Sequence, residues 1–127
     1  MIKKHKIAED IAVPRGRIPE ALARVAAIGE ANGLWTAAYG HAGDGNLHVQ
    51  VLFDDADKDA SAVEKTLDAV MHMAIELGGT LSGEHGIGLA KKRFMHLEHS
   101  PQSLQMMRAI KAVFDPKNLL NPGKIFP

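Results

Sequence analysis

A chain of 127 residues, 46% hydrophobic and 24% charged, has room for one hydrophobic core but not two, and its composition excludes wholesale disorder. Fifteen basic side chains balance fifteen acidic ones, so there is no net field to draw the domain to nucleic acid or to an anionic membrane. The absence of cysteine excludes disulfide staples, thiolate metal sites and a cysteine nucleophile.

No apolar run approaches the ~18 residues of a membrane span and no signal-peptide core is present, so the expected location is the cytoplasm. Seven histidines beside a single Trp and a single Tyr are the compositional oddity. Histidine is the commonest metal ligand and general base, so their placement carries the functional question.

In chain order, residues 1–8, with Lys3, Lys4 and Lys6 close together, are expected to be a flexible, solvated N-terminus, and residues 9–127 the folded domain. Residues 10–13 read as a short strand stopped by Pro14. Pro19 marks a helix start, with Ile18, Leu22, Val25 and Ala26 at helical spacing and Asn32-Gly33 as its stop. Residues 34–39 form a second strand, a glycine-rich loop spans 40–45, and a third strand covers 46–53.

In that third strand Leu47, Val49, Val51 and Phe53 alternate with Asn46, His48 and Gln50. One face is therefore apolar and the other polar over its first half. A helix over 60–77 places Val63, Leu67, Val70, Met71, Ala74 and Ile75 on one side. Gly78-Gly79 ends it, residues 80–82 read as a fourth strand, and a second glycine-rich loop spans 83–88. The last helix has Ser100 as N-cap, Pro101 at its first position, then Leu104, Met107, Ile110, Val113 and Phe114; Asp115-Pro116 ends it and a turn-rich tail follows. The order predicts an α+β fold: a ferredoxin-like antiparallel sheet with helices on one face, plus C-terminal helices. The other face is left for solvent or a partner.

The two loops hold the candidate chemistry. In the first, which carries three glycines (Gly40, Gly43 and Gly45), His41 and His48 flank a hairpin-like turn on adjacent strands. The second sets Glu84 beside His85. Two imidazoles and a carboxylate are a recurrent way to hold a divalent metal with positions left open. A 2-hydroxy acid can chelate such an ion, which then lowers the pKa of its hydroxyl, and a nearby histidine can take the proton. Residue types alone leave open whether the two loops meet. His5, His72, His96 and His99 read as ordinary hydrogen-bonding groups, and Asp44 between glycines as a tight-turn residue. Neither glycine cluster has the Gly-x-Gly-x-x-Gly order of a dinucleotide-binding turn.

Taken together, GHAGDGNLH, SGEHGIGLAK, DPKNLLNPGKIF and the opening EDIAVPRGRIPE resemble the C-terminal domain of FAD-linked oxidases. That group contains D-lactate dehydrogenases, D-2-hydroxyglutarate dehydrogenases and the glycolate oxidase FAD subunit. The resemblance spans residues 9–126. It implies a domain that caps a separate FAD-binding domain or subunit, with substrate held between them over the flavin.

Matched residue by residue, it implies metal ligands at His41, His48 and Glu84, a catalytic His85, and substrate contacts from Gln50 and Asn46. Lys124, in the tail, matches a stretch that returns toward the flavin domain and is expected to contact cofactor or substrate. The implied cofactors are FAD and a divalent metal, Zn or Mn. The implied reaction is oxidation of a small D-2-hydroxy acid to the 2-oxo acid. The family's flavin-binding part and its upstream cationic residues have no counterpart in this sequence, so the chain is expected to be incomplete and inactive alone. A non-catalytic metal- or ligand-binding module, or a metallohydrolase using the same His, His, Glu set with bound water, are the alternatives. A capping role further predicts an exposed apolar or mixed patch on one sheet face.

Overall fold

The computed structural model describes residues 3–127, in two compact units, Met1–His85 and Gly86–Pro127. The first unit contains β1 (His5–Ala12), α1 (Ile18–Ala31), β2 (Trp35–His41), β3 (Asn46–Phe53) and α2 (Ala60–Glu76). The strands form an antiparallel sheet in the order β1-β3-β2. An isolated antiparallel bridge joins Thr80 to Ala12 on the other side of β1. This is the expected ferredoxin-like α+β arrangement, with its fourth strand reduced to a single bridge.

The alternation in β3 explains the sheet. Val49 and Val51 have no exposure and Leu47 and Phe53 little, because this row faces the helices. Leu34, Val51, Phe53 and Val63 form one buried cluster, with Ile7, Ala62 and Leu67 packed against it. Each such side chain taken from water stabilises the fold by roughly 1.5–3 kcal/mol. On α2 the buried set is Val63, Thr66, Val70, Met71, Met73 and Ala74, while Leu67 and Ile75 are half-buried at its margin.

Three expectations need correction. β1 begins at His5, not at residue 10. Residues 5–8, expected to be loose, pair with Phe53 through Gln50, because β3 is long enough to satisfy their backbone groups whatever their side chains. His5 also stacks on Phe53 at 5.4 Å. Lys3 is tied down by Asp54, at 2.7 Å; Met1 and Ile2 lie outside the described residues.

The second correction is the fourth strand. Thr80 exchanges backbone bonds with Ala12, but the next pair along would be Ser82 and Asp10, and there the Asp10 side chain intervenes. Ser82 Oγ donates to it, as do the backbone N–H groups of Glu84 and His85. The ladder stops after one rung for that reason. Third, on α1 it is Ala21, Val25 and Gly29 that are buried, while Leu22 and Ala26 are exposed. The small residues of the i, i+4, i+8 row let the helix sit close to β2, where Thr36 Oγ1 donates to the Val25 carbonyl at 3.2 Å.

The second unit holds a 3-10 turn (Lys92–Phe94), α3 (Met95–Glu98) and α4 (Pro101–Phe114). The turn and α3 lie where the sequence pattern gives no element. α4 starts as expected: Ser100 Oγ accepts the Ser103 N–H at 3.1 Å and Pro101 occupies the first turn. Of its apolar residues only Leu104 is buried; Ile110, Val113 and Phe114 are 59%, 77% and 80% exposed. Asp115 closes the helix by accepting the N–H groups of Leu119 and Leu120. The tail returns to α4, with the Arg108 guanidinium 5.3 Å from the Phe126 ring centre. Among the described residues no helix is long and apolar enough to cross a membrane.

Candidate metal and substrate site

The strand register assembles the site. In successive rows across the polar face lie Ala12, Asn46 and His41, then Asp10, His48 and Tyr39, then Ala8, Gln50 and Ala37. His41 and His48 thus sit on neighbouring strands, two residues apart along the register, so their rings share a face. The loop between them is a tight turn: Asp44 and Gly45 donate to the His41 carbonyl, and the Asn46 N–H donates to Asp44 Oδ1 at 3.4 Å. Asp44 is the turn residue its flanking glycines suggested. Gly45 has φ +82, and a Cβ there would stand 2.0 Å from the Val13 carbonyl oxygen. Only glycine fits.

The second loop approaches the first at Gly83, where a Cβ would lie 2.4 Å from Asn46 Oδ1. This close approach answers the question that spacing left open. Glu84 Oε1 is 3.1 Å from His48 Nε2 and 3.7 Å from His41 Nε2. One ligand atom from each of the three residues lies within 4.8 Å of the others. Ligands about 2.0–2.2 Å from a common zinc stand about 3–4 Å from each other, the range of the two Glu84–histidine separations, so these are the three residues that would hold a divalent ion. His41 and Glu84 are 59% and 50% exposed and His48 only 10%. The open side leaves room for further ligands.

His85 lies against this set, its ring 5.3 Å from that of His48 and nearly parallel to it. Its outer edge is exposed, while Nδ1 is 3.6 Å from Asp10 Oδ1. Asn46 is buried, and among the described residues its Oδ1 has no hydrogen-bond partner. Gln50 is half-buried one row further along and donates to the Tyr39 hydroxyl at 3.4 Å.

Five of the seven residues singled out by sequence, His41, Asn46, His48, Glu84 and His85, therefore come together, with Gln50 in the adjoining row. Lys124 belongs to the other unit, half-buried in its tail beside Arg108, Lys111 and Phe126. Sequence reasoning missed Asp10, Ser82 and Tyr39. The Tyr39 ring lies 5.1 Å from that of His48; its parity with His41 along β2 was the available signal. Asp10 shares the face of His48 once the strands are paired, but in a short apolar stretch a single carboxylate gives no sign of its partners.

The family model for FAD linked oxidases, C-terminal domain, matches residues 2–125. The chain belongs to this family. It is 40% identical over 126 residues to glycolate oxidase subunit GlcD of Bacillus subtilis (strain 168), covering 98% of this chain and 27% of that protein. It is 42% identical over 117 residues to a D-lactate dehydrogenase of Archaeoglobus fulgidus, covering 91% of this chain and 26% of the relative. A D-2-hydroxyglutarate dehydrogenase of Stutzerimonas stutzeri is 40% identical over 128 residues, with 92% and 26% covered. The chain thus spans about a quarter of the length of these relatives.

Proposed function

We propose that this FAD-linked oxidase C-terminal domain is the substrate- and metal-binding half of a flavin-dependent enzyme that oxidises a D-2-hydroxy acid to the 2-oxo acid. The relatives are named for glycolate, D-lactate and D-2-hydroxyglutarate, and in each of these acids the hydroxyl stands on the carbon next to a carboxylate. The single observation that carries the reading is the convergence of His41, His48 and Glu84 within 4.8 Å, open to solvent on one side and with His85 against it. Zn or Mn suits that donor set. Neutral charge balance and the absence of cysteine are in keeping with a small-molecule enzyme of the cytoplasm.

When bound, the cation acidifies a coordinated hydroxyl, and the family's FAD accepts the hydride. The residues of this chain do the rest. His41, His48 and Glu84 fix where the hydroxyl and carboxylate oxygens of the acid sit. His85 takes the hydroxyl proton as the hydride leaves the neighbouring carbon, so two electrons and two hydrogens leave the substrate in balance. Asn46 and the Gln50 amide orient the acid from the sheet. Lys124 contacts substrate or cofactor from the tail. A FAD-binding domain or subunit completes the enzyme, so the chain by itself does not turn over.

The test has two arms. Purified chain is titrated with Zn²⁺ or Mn²⁺; one ion binds, and His41→Ala or Glu84→Gln weakens it by at least about tenfold. The chain is then paired with the flavin-holding remainder of a relative and given D-lactate, glycolate or D-2-hydroxyglutarate. One of them bleaches the flavin, and His85→Ala lowers the bleaching rate by about 10²–10⁴-fold. Metal binding without bleaching in any pairing would instead favour a binding module, and ester or amide hydrolysis without flavin a metallohydrolase.

A further inference from the structure

Asp10 has no role in the chemistry just described, yet it is fully buried beside the site. A carboxylate withdrawn from water is tolerated only when its lone pairs are met by donors. One turn supplies several of those donors. Asp10 Oδ2 accepts the backbone N–H of Glu84 at 2.5 Å and that of His85 at 3.0 Å. Ser82 Oγ lies 3.1 Å from Oδ1 and 3.3 Å from Oδ2, and His85 Nδ1 is 3.6 Å from Oδ1.

Two successive backbone N–H groups on one oxygen fix the peptide plane between Glu84 and His85, and with it the directions in which both side chains leave the backbone. The anchor is in register with the site, since Asp10 pairs directly with His48 across the β1–β3 ladder. The carboxylate that must meet two imidazoles is therefore held from the same strand row as one of them.

We infer that Asp10 is a positioning residue: it holds the 82–85 turn so that Glu84 completes the His41, His48 donor set and His85 faces the same ligand. This rests on the metal-binding reading above. The backbone N–H groups of a turn that carries both glycines and charged side chains have many alternatives in water; the buried carboxylate leaves them one. Asparagine at the same place keeps the shape but turns an amide N–H₂ toward donors, so part of the clamp opens.

The experiment measures Mn²⁺ and Zn²⁺ affinity of the full 127-residue chain by calorimetry, at a temperature where circular dichroism and the amide NMR spectrum show each variant folded. Asp10→Asn is expected to weaken binding by about 10–100-fold, the usual effect of losing the group that orients a ligand. Ser82→Ala, which removes one donor and leaves the clamp otherwise intact, gives a smaller loss in the same direction. Ile11→Val, next to Asp10 but on the helix-facing side of β1, lowers stability and leaves the affinity of the folded protein unchanged, so a merely structural effect is separated from positioning.

Affinities of Asp10→Asn and Ser82→Ala within about twofold of the unmodified chain would overturn the inference while the metal site stands. Should Asp10→Asn not fold, Ser82→Ala decides alone. An unmodified chain that binds neither ion overturns the metal reading, and this inference with it.

Discussion

At Gly83 the two halves of the site touch, and the missing side chain is what lets them. A methyl group there would meet Asn46 Oδ1 at 2.4 Å and Cγ at 2.5 Å. Asn46 is buried and cannot simply swing aside, so Gly83→Ala is expected to destabilise the domain by roughly 1–3 kcal/mol, as overpacking does. In a denaturant titration the cost should shrink when Asn46→Ala is made as well, because the clash is gone; an unchanged cost would place the strain elsewhere. The site residues were readable because each carried its own signal: alternation in β3 for Asn46, His48 and Gln50, and glycine-flanked motifs for His41, Glu84 and His85. Asp10 carried none. Its donors are 72 to 75 residues further along the chain, and two of them are backbone N–H groups, which no residue type announces.

Among the elements, β3 and α2 were legible in sequence because their apolar periodicity is set by burial. β1 was not, since its first half is held by backbone pairing and leaves polar side chains in water. The end of α4 shows a different dependence, on charge. The Lys111 ammonium that bonds to Asp115 holds its carboxyl below the usual carboxylate range, against the opposing pull of desolvation; the N–H groups of Leu119 and Leu120 add to the lowering. A group whose pKa is lower folded than unfolded contributes stability that is complete above its unfolded value, about 3.9, and is lost as pH falls through the lowered folded value. The tail anchored at Leu119 and Leu120 should therefore hold at neutral pH and detach below about pH 4. Amide exchange at these two residues, followed as pH is lowered, would rise at that point, and Asp115→Asn should raise it at neutral pH already. Exchange that ignores both the acid and the substitution would show that the helix end is held by something else.

For the molecule as a whole, the question is what covers its exposed apolar groups. Within the first unit, Trp35 and Tyr39 are 57% and 58% exposed on the sheet face that carries the site, and the Lys3 ammonium lies 5.4 Å from the Trp35 ring centre. Large aromatic groups left in water beside a candidate site mark a surface built to meet something. The relatives are nearly four times longer than the stretch this chain matches, and in the proposed enzyme the substrate lies between this face and the flavin. The expected occupant is therefore the flavin-holding part. Because the chain has a single tryptophan, 5-fluorotryptophan labelling gives one ¹⁹F signal that reports on Trp35 alone. Adding the flavin-holding remainder of a relative should shift and broaden that signal, and Trp35→Ala should weaken the pairing by about tenfold or more, as the loss of a buried aromatic anchor does. A complex that forms and restores flavin bleaching, yet leaves the ¹⁹F resonance where it was, would mean that the flavin approaches the metal ligands from the loop end of the sheet and leaves the far end of this face in water.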